Sequence, residues 1–322
     1  MKKTLVALAV IAASGASFAQ VTISGKLGFS YQKNATVGGG AANHGMAMAD
    51  GDLNFAAAED LGGGWKAEAK SAFASRGRDN TFAARNATLG LTTPVGLLTL
   101  GSVESCSSIL NTAGAPVSLA TGHDGNASTP IDICGNIDVA QFNVPVGPVT
   151  LGVAYIDSIN RNAGLGTAAG AGNLTANLVS ASYAAGALSL GLDHTVYAGD
   201  ATAVGALGAY IKDLTRTRLT VAYDLGIAKL GAGFQTNNNS KASQSSVSVN
   251  VPMGAVQVGL VHSMRNSQDA VNGLTAADSR SATAIGVQYD LSKMTNVNFS
   301  YSTYSNTAAL DNEFRIRLMK SF

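Results

Sequence analysis

Apolar and polar residues alternate one by one over much of this chain. At its end, Phe314, Ile316, Leu318 and Phe322 fall on one face of an extended strand, while Glu313, Arg315, Arg317 and Ser321 fall on the other. Near the start, Val21, Ile23, Leu27 and Phe29 alternate with Thr22, Ser24, Lys26 and Ser30. The same period of two recurs in Leu188–Asp193, Arg218–Asp224, Val247–Val251 and Val297–Tyr301. Successive side chains of a strand point to opposite sides, so each such run separates an apolar from a polar medium. Runs of roughly 10 residues have the length of a tilted membrane-crossing strand.

The connections alternate too. Short turns are predicted near Leu61–Gly64, Thr93–Gly96, Pro145–Pro148, Ala184–Ala187, Leu225–Ile227, Pro252–Gly254 and Leu291–Met294. Longer polar loops fall at Asn34–Met46, Glu104–Asn136, Ser158–Asn173, Asn237–Gln244 and Asn266–Arg280. Short turns on one rim and long loops on the other are the pattern of an up-and-down membrane barrel of about 16 antiparallel strands. In lipid every backbone N–H and C=O needs a partner, so the last strand must pair with the first. The alternation slips at Ile137–Val144 and around Gly199–Asp213. A soluble all-β sandwich would share the alternation but would not call for polar inward positions in segment after segment.

Composition sharpens this picture. Charged residues make up 13% of the chain, with 37 Gly against 6 Pro, where a soluble domain carries about 25% charged residues. No stretch after residue 19 approaches the ~20 apolar residues of a membrane helix. Residues 1–19 read as a secretory signal: Lys2 and Lys3, an apolar run from Leu5 to Ala13, and Ser17-Phe18-Ala19 before the expected cut. The expected mature chain is residues 20–322, with 19 Lys and Arg against 20 Asp and Glu. That balance offers no electrostatic case for nucleic-acid binding.

Three segments are family-like. Glu59-Asp60-Leu61-Gly62-Gly63-Gly64-Trp65-Lys66-Ala67 resembles the EDLGGGLKA strand–turn–strand of Gram-negative trimeric general porins, particularly their beta-proteobacterial branch. Arg85–Leu91 followed by Gly96–Gly101 is similar to that family's R-x-A-x-V-G-L and G-x-L-x-L-G elements. Tyr289–Thr295 resembles its Y-x-L-S-K-R-T turn, and Phe322 its terminal aromatic assembly signal. The resemblance implies a homotrimer in the outer membrane, among its lipids and lipopolysaccharide, with a long third loop folded inward as a constriction. It implies passive diffusion of small hydrophilic solutes and ions through a water-filled channel. A substrate-specific channel or an adhesive barrel of the same architecture is the alternative. The chain departs from the family where a basic wall position is Asp52 and where Ser102 replaces an Arg.

Within that frame, Lys26, Lys66, Lys70 and Arg85 form an expected basic lumen wall, opposed there by Asp52 and Glu68. Arg216, Arg218, Arg315 and Arg317 are expected to line other parts of the lumen. From Asn86 to Asn160 there is no Lys or Arg. Glu104, Asp124 and Asp132 are expected to bring an acidic rim with the inward loop, giving weak, cation-leaning selectivity. Cys106 and Cys134 lie near the two ends of that loop, as a cystine or as two free thiols. A cystine would close roughly 29 residues and contribute about 3–4 kcal/mol on the chain-entropy model. Catalysis is not expected: there is no G-x-S-x-G elbow, His44 and His123 lie in loops, and His194 and His262 have outward parity. Two Cys without paired His make no zinc site, and no cofactor or metal is expected.

Overall fold

The structure, a computed structural model, describes residues 20–33, 44–75, 82–105, 109–117, 135–157, 174–199, 214–238, 243–266, 279–305 and 312–322. The expected signal segment, Cys106, Cys134, His123, Asp124 and Asp132 lie outside the described residues. Sixteen strands follow in order: β1 (Gln20–Lys33), β2 (His44–Gly62), β3 (Trp65–Ser75), β4 (Phe82–Thr93), β5 (Gly96–Ser105), β6 (Gly135–Val146), β7 (Val149–Asp157), β8 (Leu174–Ala185), β9 (Leu188–Gly199), β10 (Thr215–Asp224), β11 (Lys229–Asn237), β12 (Ser243–Met253), β13 (Val256–Asn266), β14 (Ser279–Ser292), β15 (Thr295–Ser305) and β16 (Glu313–Ser321). Each pairs antiparallel with its neighbours in sequence, and β16 pairs with β1 to close a barrel. The seven predicted short turns join β2–β3, β4–β5, β6–β7, β8–β9, β10–β11, β12–β13 and β14–β15.

Closure is completed at the last residue. Gly25 and Phe322 exchange reciprocal backbone hydrogen bonds of 3.0 Å. A Cβ on Gly25 would approach the Phe322 ring to 2.6 Å, so the missing side chain makes room for the terminal aromatic. At the β2–β3 turn, Gly62, Gly63 and Gly64 all have positive φ, 79°, 61° and 82°. Three consecutive residues in that region are tolerable only without Cβ atoms, which accounts for the glycine run of the EDLGGG segment.

The two faces sort as a membrane barrel requires. Leu89, Val153, Leu192, Leu219 and Val247 are exposed on the outside, while Gln235, Ser248, Ser263, Asn298 and Ser300 are buried on the inside. The slip of alternation at Ile137–Val144 has a structural reason. Ile137 and Val139 face inward and join Val103, Ile156, Ala176, Tyr197 and Leu214 in a buried apolar cluster across β5–β10. Both faces of β6 therefore carry apolar side chains, and the period of two is blurred although the strand is regular.

Candidate functional site

The site is assembled from strand register. Lys26 on β1 lies opposite Asp52 on β2, and both point into the lumen. Asp50 also points inward, because a bulge at Gly28/Phe29 leaves Ala49 unpaired. That extra residue switches the parity of β2: Met46 and Met48 pair with the outward Tyr31 and Phe29, whereas Asp50 and Asp52 pair with the inward Gly28 and Lys26. Gly28 leaves room for the Asp50 side chain. A Cβ at that position would lie 2.9 Å from an Asp50 carboxylate oxygen, so Asp50 leans across β1 towards Arg317 on β16.

The result is a ladder of alternating charge. Arg85 Nη1 lies 3.0 Å from Asp52 Oδ1, and Asp52 Oδ2 lies 3.1 Å from Lys26 Nζ. Lys26 Nζ is 3.0 Å from Asp50 Oδ1, and Asp50 Oδ2 is 2.8 Å from Arg317 Nη1. Three cations and two anions thus cross β4, β2, β1 and β16 in one line. The expectation that only Asp52 and Glu68 oppose the basic wall is corrected by Asp50, whose inward position depends on the bulge. Beyond the ladder, Lys70 pairs with Glu68 at 3.1 Å, and Lys66 occupies the inward register of β3 opposite Asp60.

The third long connection reaches the opposite wall. Residues 109–117 form a compact turn braced by Asn111, which has φ 55°. The Asn111 side chain accepts from Ala115 N at 2.6 Å and donates to Ala115 O at 2.9 Å. The Thr112 hydroxyl donates to Val221 O on β10 at 3.1 Å, Ala113 N donates to Ser248 Oγ on β12 at 3.0 Å, and Asn298 Nδ2 on β15 donates to Pro116 O at 2.7 Å. Ile109, Ala113 and Ala115 are buried.

The wall under this turn is stripped of side chains. A methyl group on Gly231 would overlap Thr112 and Ala113, one on Gly233 the Ile109 carbonyl, one on Gly259 the Ala115 side chain, and one on Gly286 the Pro116 carbonyl. None of these four glycines has positive φ, so space rather than backbone conformation calls for glycine there. Residues 109–117 of the connection between β5 and β6 therefore seat inside the barrel on β10–β15, and Asn298, which holds Pro116, is the strand partner of Arg317 in the ladder.

A family model described as Gram-negative porin matches residues 4–309. The chain belongs to the Gram-negative porin family.

The porin's fold agrees with solved relatives. It is similar to the anion-selective porin from Comamonas acidovorans, at 17% identity and a TM-score of 0.69, over 95% of this chain and 100% of that one. It is similar to a loop-deletion mutant of the Vibrio cholerae outer membrane protein OmpT, at 14% identity and a TM-score of 0.65, over 94% and 99% of the two chains. A mutant of Rh. blastica porin matches at 15% identity and a TM-score of 0.63, over 94% and 100%. No curated protein sequence matches the chain. The protein is an outer-membrane porin, and the inward third loop expected of it is present.

The remaining expected lumen residues fall into two groups. Arg315 sits at the inward register next to Arg317, opposite Gln32 and Ser300. Arg216 and Arg218 lie across the barrel on β10 and are buried. Arg218 Nε donates to both carboxylate oxygens of Asp193 at 2.9 and 3.0 Å, and the Arg216 guanidinium lies 6.0 Å from the Tyr197 ring centroid. These two brace the wall rather than join the ladder. Glu104, expected in the inward loop, lies within β5 at the register of Asn136. Strand pairing simply continues to Ser105 and Gly135.

Proposed function

We propose that this porin is a homotrimeric general diffusion channel for small hydrophilic solutes and ions, with weak charge selectivity. The observation that carries the reading is the nearly self-neutralised charge ladder across β4, β2, β1 and β16, together with a compact, uncharged turn seated on β10–β15. Ions passing this ladder meet a net field of about one charge rather than three. At ~4 Å a unit charge acts with about 1 kcal/mol in bulk water and about 4 kcal/mol near a protein surface, so two interleaved carboxylates decide the strength of ion preference. The Comamonas acidovorans relative is named anion-selective; Asp50 and Asp52 argue for a weaker preference here. The acids expected in the third loop, Asp124 and Asp132, would lean it towards cations.

The lining also speaks for unspecific passage. Among the described residues, Tyr197 and Tyr304 are the aromatic side chains at inward register, and Tyr197 is buried in the wall cluster. A sugar-specific path built on stacked aromatics has no counterpart in that set. Trimer assembly is supported by the outer face. On β1, β2 and β16, large apolar residues such as Phe29, Tyr31, Met46 and Phe314 continue to the loop end, with the Tyr31 and Phe314 rings 6.2 Å apart. Towards the short-turn end, Ala57, Ala67 and Ala69 give β2 and β3 small outward side chains beside Glu59, which suits close contact between barrels. Phe322, on the seam between β16 and β1, is the assembly signal in this reading.

The test is liposome swelling with a series of uncharged sugars of increasing size. The entry rate is expected to fall smoothly with solute size and to rise linearly with concentration. Saturable entry of one sugar, with exclusion of others of equal size, would replace this reading by a substrate-specific channel.

A further inference from the structure

Two of the four links in the charge ladder skip a strand. Asp50 on β2 reaches Arg317 on β16 across β1, and Asp52 on β2 reaches Arg85 on β4 across β3. Neighbouring strands lie about 4.8 Å apart, so each of these links spans roughly 10 Å of sheet. A large inward side chain on the strand between would fill that space, and none stands there. The inward residue of β1 beside Asp50 is Gly28, and the inward residues of β3 beside Asp52 and Asn54 are Ala74 and Ala72. The two links through Lys26 join neighbouring strands and call for no such gap. Gly28 does not have positive φ, so its backbone would accept a side chain; the space above it would not. A Cβ there would lie 2.9 Å from Asp50 Oδ2, and Oδ2 is the atom that accepts from Arg317 Nη1 at 2.8 Å. Its next neighbours would be Asp50 Cβ at 3.2 Å and Asp50 Cγ at 3.5 Å, so all three nearest atoms belong to that one side chain.

We infer that Gly28 is a positioning residue for ion selectivity: its empty place on the lumen wall seats the Asp50 carboxylate against Arg317, and filling that place changes selectivity without adding or removing a charge. A methyl group at residue 28 meets the tip of a flexible side chain rather than backbone. The carboxylate therefore gives way, and β1 keeps its register with β2 and β16. Asp50 retains Lys26, which is bound through the other oxygen, Oδ1, and loses Arg317. The Arg317 guanidinium is then no longer neutralised and presents its charge to passing ions, which favours anions. Ala74 plays the corresponding part for Arg85 at the other end of the ladder. The inference deepens the diffusion reading and rests on the ladder facing the ion path.

The experiment reads the zero-current potential of the purified porin in a planar bilayer under a KCl gradient at low salt, where screening is weak. Arg317→Gln alone should move the potential in the cation-selective direction, which tests whether the ladder faces the ions. Gly28→Val should move the permeability ratio the other way, towards anions, by roughly 1.5- to 5-fold, the range of an exposed ion pair. Gly28→Ala should give a smaller shift of the same sign and serves if the valine variant does not assemble. Combining Gly28→Val with Arg317→Gln closes a double-mutant cycle. In that background the valine should shift the ratio no further, because the charge it releases is gone, whereas a purely steric effect on the channel would persist. A shift from Gly28→Val that survives Arg317→Gln would overturn the inference and leave the diffusion reading standing. So would a wild-type potential in both Gly28 variants while Arg317→Gln moves it. A potential indifferent to Arg317→Gln would overturn both the inference and the ladder as the selective element.

Discussion

Gly286→Leu is expected to raise the single-channel conductance of the porin in a planar bilayer and to admit larger solutes. The wall position occupied by Gly286 is filled by the Pro116 carbonyl of the inserted turn, and the next residue, Val117, lies just beyond it. A leucine there must displace backbone, not the flexible tip of a side chain. Overpacking of this kind costs about 1–3 kcal/mol, which shifts the ratio of seated to unseated turn by roughly 5- to 150-fold. Opposing it are the hydrogen bonds of Thr112, Ala113 and Asn298, each worth about 0.5–1.5 kcal/mol net. Gly233→Leu, which meets the Ile109 carbonyl, should act in the same direction. Gly90→Ala is the control: its Cβ would find only ordinary contacts, at 3.7 to 3.9 Å, with Leu97 and Glu68. Wild-type conductance in both leucine variants would show that the turn does not bound the channel.

The second large effect concerns the ladder. Asp50→Asn together with Asp52→Asn removes both carboxylates that interleave Lys26, Arg85 and Arg317 on one wall. The zero-current potential under a KCl gradient should then move strongly in the anion-selective direction. One uncompensated charge at ~4 Å, at about 1 kcal/mol even in bulk water, corresponds to roughly a five-fold change in relative ion permeability. Two acids are removed, so a larger shift is expected, shrinking towards 1 M salt where the screening length falls to about 3 Å. Asparagine preserves the shape of aspartate, so the strands should keep their register. Arg85→Gln with Arg317→Gln should move the potential the opposite way. A potential that responds to neither pair would place the selective charges elsewhere in the lumen.

Both effects lie at the boundary of what sequence could show. The barrel was legible because lipid outside and water inside impose opposite chemistry on alternate residues, and Leu219–Tyr223 or Phe314–Leu318 carry that signature on their own. The turns were legible because Gly-rich, Pro-containing dipeptides interrupt it. Lys26 and Arg317 were legible as lumen residues by parity, and Asp52 through the family resemblance. Arg85 shares the parity of the outward Ala87 and Leu89 and is brought inward by the register shift between Ser71 and Phe73. Asp50 was not legible: counted from Met46 and Met48 it belongs to the outer face, and only the bulge at Ala49 brings it in. The glycine seat was also hidden. Gly231, Gly233, Gly259 and Gly286 look like weak points in their strands until the inserted turn supplies the atoms that fill their places. The inner apolar cluster around Ile137 and Ile156 worked the other way, removing a period that the strand still obeys. In each case the missing information is a contact between segments far apart in sequence, which a local pattern does not record.

A water-filled path through the barrel, walled by the inward residues of each strand, is the core of the channel's function. Thr88 and Leu89 are adjacent on β4 and face opposite ways: Thr88 lies opposite the inward Lys70, and Leu89 is 54% exposed on the outer face. The most direct measurement is the channel current during addition of a charged, water-soluble thiol reagent to single-cysteine variants at these two positions. Thr88→Cys should show an abrupt, irreversible fall in current on modification, and Leu89→Cys should show none. A current that falls with Leu89→Cys and is untouched with Thr88→Cys would contradict the assignment of faces and, with it, the channel.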